Sequence, residues 1–411
     1  MRRALICLCL AVAGVAAGAE PETVIWRTEW KDAFTAAKEQ HRLVLVDYYA
    51  QWCKPCHEME ATVFQGPEVL RRLSDFVLLR LDVDRSAIPR THHVDALPTY
   101  IVFDPEERER VRIVGAKSFD TFYDLMARVR SSAPAFLRAS ELLDAKKDVD
   151  ANLLVGNTYS HLGLTDQART AYQQARKAAL SSGDKTQAQI AEALSAFTFV
   201  RDDDPPRAIT LLQKLVATPT SSENESLIWL SIGNAYRAAL DPKSAVDAFQ
   251  HAASVAPLDS AARGEANAAK AAAIAAQDDP IESELRRLQG KWIPGRLEAD
   301  GKAIEGRKAG AAIVIRFSRW VEKAAAGDSS SKFTIDPSTD PKQINLMDQF
   351  GSQGTVSLPG IYVLDGDTLR ISMAFPFGGR TEALKKRPAV FATRAGDNFI
   401  VTTYQRTPSS K

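Results

Sequence analysis

Long apolar runs and net charge are both scarce in this chain of 411 residues. Its 52 Lys and Arg nearly balance its 51 Asp and Glu, so the formal net charge is +1. A chain this close to neutrality, with no recognisable nucleic-acid motif, is not expected to bind nucleic acid. Beyond the N-terminus no apolar stretch reaches the roughly 20 residues that cross a bilayer. The length indicates a protein of about two or three domains.

The N-terminal segment 1–19 is predicted to be a signal peptide. Arg2 and Arg3 precede an apolar stretch at residues 4–16, and Ala-Gly-Ala at 17–19 is typical of a cleavage site. The mature chain is therefore expected to be exported, to the periplasm or another compartment outside the cytoplasm. An uncleaved N-terminal membrane anchor is the alternative.

Cysteine is the third scarcity, with four in the whole chain. Cys7 and Cys9 fall within the predicted signal peptide and would be removed with it, which leaves Cys53 and Cys56. A single pair excludes the disulfide-scaffolded class of exported proteins. The pair must therefore be explained by its local chemistry.

The two remaining cysteines lie in the string Trp-Cys-Lys-Pro-Cys-His at 52–57. That spacing fits a redox-active dithiol, half of a metal site, or the CxxCH attachment site of a c-type haem. Residues i and i+3 in the first turn of a helix have Cα atoms about 5–6 Å apart, within disulfide range. A zinc site that added His92 and His93 would lack finger spacing, so no metal is predicted.

Residues 22–131 alternate between strand and helix patterns. The predicted strands cover 43–50, 76–84, 99–103 and 110–115, and the predicted helices cover 29–40, 54–64, 67–74 and 118–131. Strands that alternate with helices, followed by a hairpin and a last helix, predict an α/β domain.

The order of these elements resembles the thioredoxin fold, and four marks agree with it. The dithiol follows a strand and opens a helix, Asp47 stands six residues before Cys53, Pro98 lies where the family has its cis-proline, and Gly115 follows the last strand. The stretch 62–73 further resembles the branch that includes the C-terminal domain of the disulfide-transfer protein DsbD. The resemblance covers about a quarter of the chain.

The position of the dithiol at a helix N-terminus assigns its two sulfurs. Free N–H groups and the positive end of the helix dipole favour a thiolate there. Cys53 is therefore predicted to be the exposed nucleophile, and Cys56, one turn deeper, the resolving thiol. Lys54 would help to hold the thiolate, and Pro55 suits an early helical turn because its missing N–H costs little there.

The resemblance implies roles for four more residues. Asp47 would take the proton from Cys56 during resolution, with the raised pKa of a buried carboxylate. Arg80 stands where thioredoxins have a lysine near that acid, and because arginine stays charged the Asp47 pKa is expected to be less perturbed. Pro98 would pair with substrate backbone, and Trp52 would form part of the substrate-facing surface.

Residues 134–277 are rich in Ala, Leu, Gln and Ser and have helical periodicity. Two stretches place small and aromatic residues at matching offsets, namely Gly156, Tyr159, Gly163, Ala168, Tyr172 and Ala175, and Gly233, Tyr236, Ala245, Phe249, Ala252 and Pro257. This pattern resembles the tetratricopeptide repeat (TPR). The resemblance implies an all-α, TPR-like segment with a groove that binds a protein partner. The alternative is a spacer between the two ends of the chain.

Residues 282–411 change to a period of two. Short alternating strands are predicted at 311–317, 332–336, 343–347, 360–364, 368–375, 389–394 and 399–406. Together with the opening Gly290-x-Trp292, they resemble an all-β, antiparallel lipocalin-like barrel. The segment also resembles a small domain of uncharacterised function in bacterial exported proteins, which supplies a fold but no reaction.

The prediction for the whole chain is an exported thiol–disulfide oxidoreductase that acts through Cys53 and Cys56. It would reduce disulfide-containing exported proteins of the cell envelope, without a cofactor, using electrons from a membrane or periplasmic thiol protein. One alternative is a redox-inactive scaffold whose thioredoxin fold serves as a docking surface. The other is a c-type haem electron carrier, although the haem string normally lies in a small helical domain.

Overall fold

The computed structural model describes residues 26–65, 67–258, 260–305, 311–324, 327–349, 355–375 and 386–407. The chain divides into two compact units, one ending at Ala116 and the other beginning at Lys117. The predicted signal peptide, 1–19, lies outside the described residues. Within the described ranges, no helix combines the length and apolarity needed to span a membrane.

The N-terminal unit is a four-stranded sheet with helices, and it confirms the predicted thioredoxin fold. Its strands lie in the order β2-β1-β3-β4, with β1 parallel to β2 and antiparallel to β3. The elements are α1 (Trp30–Gln40), β1 (Leu43–Tyr49), α2 (Lys54–Thr62), α3 (Pro67–Leu73), β2 (Phe76–Asp82), α4 (Ile88–Thr91), β3 (Thr99–Phe103) and β4 (Glu109–Val114).

Strand β1 lies inside the sheet, between β2 and β3, and β2 and β4 form the edges. Val44, Val46 and Tyr48 pack in one core cluster that also contains Phe34 of α1. Six of the seven residues of β1 are buried, which explains the nearly continuous apolar sequence of this strand. Asp47 is the one charged residue of this strand, and its burial is therefore unusual.

The C-terminal unit begins with nine α-helices along the described chain. They are α5 (Phe119–Asp144), α6 (Asp148–Leu162), α7 (Thr165–Ser181), α8 (Lys185–Arg201), α9 (Pro205–Val216), α10 (Ser222–Ala238), α11 (Pro242–Val255), α12 (Ala261–Ala275) and α13 (Pro280–Leu288). The predicted helix-rich middle is thus present. Its specific assignment to the tetratricopeptide family stays a prediction.

Helix α5 does not end at residue 131 as predicted. It runs on through Pro134, and Phe136 and Ala139 beyond it are fully buried. A proline removes one backbone hydrogen bond, but the buried face on its far side holds the helix together. The domain ranges 22–131, 134–277 and 282–411 stay predictions, and the first two meet inside this helix.

Two glycines let neighbouring helices of the middle approach closely. A Cβ atom on Gly156 of α6 would overlap the ring of Tyr172 on α7. The matching position of the second stretch, Gly233 of α10, lies equally close to Phe249 of α11. The residues aligned from the sequence therefore make the same contact in both helix pairs.

The last described part of the chain, from Gly290 on, forms an antiparallel barrel. Its strands are β5 (Gly290–Ala299), β6 (Lys302–Glu305), β7 (Ala312–Arg316), β8 (Arg319–Ala324), β9 (Gly327–Asp336), β10 (Lys342–Gln349), β11 (Thr355–Asp365), β12 (Thr368–Ala374) and β13 (Phe399–Arg406). Pairing of β13 with β5 closes eight strands into the barrel, and β6 extends from β5. Trp292 is fully buried, and its Nε1 donates to the Leu288 carbonyl. The likeness to lipocalins stays a prediction.

The prediction of a strand at 389–394 is wrong, because this segment pairs with no strand. It contacts strands through side chains instead: Arg370 donates to the Phe391 carbonyl, and Thr393 donates its N–H to Glu298. Alternation of apolar and polar residues indicates that one side of a segment is buried. A loop that lies on the barrel can show this pattern as well as a strand can. Strands β5, β6 and β8 were not predicted, because β6 has only four residues and β5 and β8 mix polar with apolar residues.

Candidate active site: a dithiol at a helix N-terminus

The two cysteines form a disulfide at the start of α2. The S–S distance is 2.04 Å and the two Cα atoms are 5.3 Å apart. Cys53 is the N-cap of α2, and its Sγ accepts a hydrogen bond from the Cys56 N–H at 3.2 Å. Pro55 lies in the first turn of α2, where no intrahelical N–H bond is lost. The sulfur of Cys53 therefore sits against the free N–H groups of a helix, which favours its thiolate once the disulfide is reduced.

Both cysteines are buried in this disulfide form. Cys53 is 2% exposed and Cys56 is 7% exposed, so exposure does not single out Cys53 as the predicted exposed thiol. They pack with Ala50, and Tyr49 and Leu97 pack against the same cluster. Their distinction rests on the position of each sulfur along the helix.

A groove of about 430 Å³ runs beside the dithiol. Cys53 is the cysteine that lines it, together with Lys54, Pro55 and Leu97. Trp52 forms one side with 69% of its surface exposed, and its Nε1 donates to Asp84 Oδ2 at 2.9 Å. A fixed, exposed aromatic next to a reactive sulfur is suited to contact a substrate chain.

The loop before β3 carries the proline that the sequence singled out. The Leu97–Pro98 peptide bond is cis, and the Pro98 carbonyl accepts a hydrogen bond from the Gly115 N–H at 2.8 Å. Proline has no N–H, so Pro98 has no free backbone group of its own to offer a substrate. Leu97, which lines the groove, is the neighbouring backbone.

Asp47 lies on β1 and is 2% exposed. Its Oδ2 accepts a hydrogen bond from Arg80 Nε at 2.8 Å, and within the described residues its Oδ1 has no hydrogen-bond partner. Burial raises the pKa of Asp47 to about 6, and the charge of Arg80 limits that rise. The carboxyl group can therefore change its protonation state near neutral pH.

Arg80 is held on every side. Strand pairing puts Arg80 directly opposite Asp47, and the Arg80 Nη2 pairs with Glu60 Oε2 at 2.5 Å. The ring centres of Trp26 and Tyr49 lie 5.1 and 5.0 Å from the guanidinium carbon Cζ of Arg80. Because Tyr49 also packs against the dithiol cluster, Arg80 is tied to both the acid and the cysteines.

The structure thus gathers Cys53, Cys56 and the residues that line their groove, and it joins Asp47 to Arg80 through a side-chain hydrogen bond. Glu60 and Asp84 were not predicted from the sequence. Glu60 stands four residues after Cys56 on α2, a spacing that places both on one helix face, and this could have indicated it. Asp84 gave no such signal.

Comparison with known proteins identifies the family of the N-terminal unit. A family model described as thioredoxin-like matches residues 25–105. Thioredoxin H2-1 of Oryza sativa subsp. japonica is 37% identical over 108 residues, which are 26% of this chain and 75% of that protein. The chain belongs to the thioredoxin-like family. Its membership rests on this one domain.

A second relative of the thioredoxin-like domain is the thiol:disulfide interchange protein DsbD of Pseudomonas fluorescens. It is 36% identical over 117 residues, 27% of this chain, and the chain spans 20% of its length. Among solved structures, the oxidised C-terminal domain of Neisseria meningitidis DsbD has 23% identity and a TM-score of 0.22, and the match covers 24% of this chain and 95% of that chain.

Proposed function

We propose that this protein is an exported thiol–disulfide oxidoreductase that reduces disulfides in other exported proteins. The observation that supports this most is the Cys53–Cys56 disulfide at the N-terminus of α2 in a thioredoxin-like domain. Export is proposed from the signal-peptide pattern at 1–19. The name of the DsbD relatives, which refers to thiol:disulfide interchange, favours a protein as the other reactant.

In the proposed reaction the dithiol first attacks a substrate disulfide. The Cys53 thiolate forms a bond to one substrate sulfur, the substrate S–S bond breaks, and the released sulfur takes up a proton. The result is a mixed disulfide between Cys53 and the substrate. Lys54 and the α2 N-terminus stabilise the negative charge on Cys53 before the attack.

Resolution then requires Cys56 to lose its proton. We assign the acceptor to Asp47, whose pKa of about 6 leaves it ionised at neutral pH and able to take a proton. The Cys56 thiolate attacks the Cys53 sulfur, the bond between Cys53 and the substrate breaks, and the Cys53–Cys56 disulfide forms again. The substrate sulfur leaves as a thiolate and takes up a proton from solvent. A thiol protein of the membrane or periplasm supplies the two electrons that restore the dithiol, without any cofactor.

The substrate segment is proposed to lie in the 430 Å³ groove. Trp52 would cover it, and the backbone of Leu97 would pair with it, since Pro98 has no N–H and its carbonyl is bonded to Gly115. Leu97 thus takes the substrate pairing that was predicted for Pro98, and the cis Leu97–Pro98 bond is proposed to shape this loop. The helical middle is proposed to bind a protein partner as TPR-like repeats do. The lipocalin-like barrel is assigned no reaction.

The test is reduction of insulin by the full chain with dithiothreitol as electron source. We expect faster insulin precipitation than with dithiothreitol alone, and no acceleration by the Cys53→Ser variant. Absence of acceleration by the unaltered chain would favour the redox-inactive scaffold. An absorption spectrum of protein made in a cytochrome-maturing host tests the haem alternative, which requires a Soret band.

A further inference from the structure

Helices α7, α8 and α9 enclose a groove in the C-terminal unit. Its volume is about 610 Å³, within the range of roughly 300–1,000 Å³ that ligand sites occupy. Helices α7 and α9 form the two walls, and both pack on α8, which forms the floor. The lining between the walls is mixed. Ala191 and Ala196 on the floor and Leu211 and Leu215 on the α9 side are apolar, whereas Glu192 and Ser195 on the floor are polar.

Two aromatic residues of the groove are held in place. The ring of Phe199 contacts two guanidinium groups, with its centre 4.7 Å from the Arg169 Cζ and 4.0 Å from the Arg207 Cζ. The hydroxyl of Tyr172 donates to Asn157 Oδ1 at 2.8 Å. Because these side chains are ordered already, contact with them costs little conformational entropy.

The two walls carry positive charge. Arg176 lines the groove from α7 and Lys214 lines it from α9. Glu192, the acid that lines the floor, pairs with Arg176 at 3.0 Å, and since both are about half exposed this pair is weak. Within the described residues, Lys214 has no ion-pair partner, and Arg207 at the aromatic end has none either.

The acids near the aromatic end are already engaged. Asp202 pairs with Arg169 at 2.6 Å, and Asp203 pairs with Arg319 of the barrel. Asp204 caps α9 by accepting from the Arg207 N–H. The uncompensated positive charge is therefore on Lys214, which lines the groove, and on Arg207, which contacts the Phe199 ring at its end.

We propose that this groove binds an acidic amphipathic helix of a partner protein. Its apolar side chains, at i, i+3, i+4 and i+7, would press on the floor, and its acidic side chains would face Arg176 and Lys214. A small anion would leave the alanine and leucine side chains of the groove uncovered, and a purely apolar segment would leave Lys214 without an ion-pair partner. This inference specifies the partner surface of the proposed function and is independent of the redox step.

Binding of fluorescent helical peptides to the full chain, followed by anisotropy, tests the proposal. The probe is a peptide with leucine on one face and glutamate on its flanks. One comparison peptide has lysine for every glutamate, and another has the same residues in scrambled order. We expect the acidic amphipathic peptide to bind about tenfold more tightly than either.

Three variants locate the binding. Lys214→Glu reverses a groove charge and should weaken binding about tenfold. Ser195→Trp fills the groove from α8 and should abolish binding. Lys243→Glu makes the same charge change on the exposed surface of α11 and should leave affinity within about twofold. The surface variant Lys214→Glu decides the matter even if Ser195→Trp does not fold.

Equal affinity for the three peptides would overturn the proposal. Equal losses from Lys214→Glu and Lys243→Glu would overturn it as well, since the attraction would then be general rather than local. Insulin reduction measured on the same samples separates this proposal from the redox function. Selective peptide binding without reductase activity would contradict only the proposed redox function. Reductase activity without selective peptide binding would contradict only the proposed groove.

Discussion

The two candidate sites of this chain, one in each unit, hold their charged side chains in opposite environments. In the thioredoxin-like unit, Asp47 is buried beside Arg80, and burial moves its pKa toward neutrality. In the C-terminal unit, Lys214 and Arg176 stand exposed on the walls of an open groove. A buried charge is suited to accept or release a proton, whereas exposed charges attract and orient a partner. Substitutions in the first unit should therefore change rates, and those in the second should change recognition or stability.

The largest expected effect separates the two cysteines. Cys56→Ser should leave the attack by Cys53 intact and remove the escape route, so mixed disulfides with exported proteins should accumulate. Cys53→Ser should trap almost nothing, because the remaining thiol lies one turn inside α2. Non-reducing gels with mass spectrometry of the shifted bands measure this. Equal trapping by both variants would reverse the assignment of roles.

The second-largest effect is expected from loss of the buried acid Asp47, which should slow the resolution of the mixed disulfide. Asp47→Asn removes the proton acceptor, and general-base effects are typically 10²–10⁴-fold, so we expect the mixed disulfide to live about 100-fold longer at pH 7. Attack by Cys53 should slow much less. Stopped-flow mixing with a fluorescent model disulfide resolves the two steps. If both slow equally, Asp47 has no special part in resolution.

The same carboxyl should couple stability to pH. Its folded pKa of about 6 lies above the ordinary value of 3.8, so the folded state binds the proton more tightly than the unfolded state. This contribution is fully present below the unfolded pKa, is lost as pH rises toward 6 and beyond, and amounts to about 3 kcal/mol. Asp47→Asn should therefore gain stability relative to the unaltered chain at pH 8 but not at pH 3.5. Urea unfolding at both pH values, followed by tryptophan fluorescence, measures whether the variant gains or loses free energy of unfolding.

A smaller effect is expected between the helices of the second unit. Gly156→Ala would drive a Cβ atom into the Tyr172 ring, and such overpacking costs about 1–3 kcal/mol. Gly264→Ala is the matched control, because its Cβ would meet open space in α12, where alanine favours a helix by up to about 1 kcal/mol. Opposite shifts in the melting temperature are expected. A stabilised Gly156→Ala variant would mean that α6 and α7 do not pack this tightly in solution.

The sequence predicted those features that depend on neighbours along the chain. The dithiol, its helix start and the central acid are set by spacings within one strand and one helix turn, and the structure places them as expected. The close contact of Gly156 with Tyr172 was likewise visible as a repeated offset. Local patterns carry this information because both partners belong to adjacent elements.

Features built by distant segments escaped prediction. The charged groove needs α7, α8 and α9 in their packed positions, and the sequence offered no sign that Arg176 and Lys214 share one surface. Continuation of α5 past Pro134 depends on what its far half packs against. The attachment of segment 389–394 to the barrel depends on Arg370 and Glu298, far away in the sequence.

The smallest expected effect tests whether Glu60 acts on the dithiol through Arg80. Arg80 is shared between Asp47 at 2.8 Å and Glu60 at 2.5 Å, and the negative charge of Glu60 raises the pKa of Asp47. Glu60→Gln removes that charge and leaves Arg80 to Asp47 alone, so the pKa of Asp47 should fall.

Because resolution needs the ionised carboxylate, its rate should rise with pH through the pKa of Asp47, and Glu60→Gln should move this rise to lower pH. Glu58→Gln, an exposed change on the same helix, is the control and should leave the profile in place. The measurement is the mixed-disulfide decay rate between pH 4.5 and 8. A shift to higher pH, or equal shifts in both variants, would mean that Glu60 only anchors Arg80 structurally.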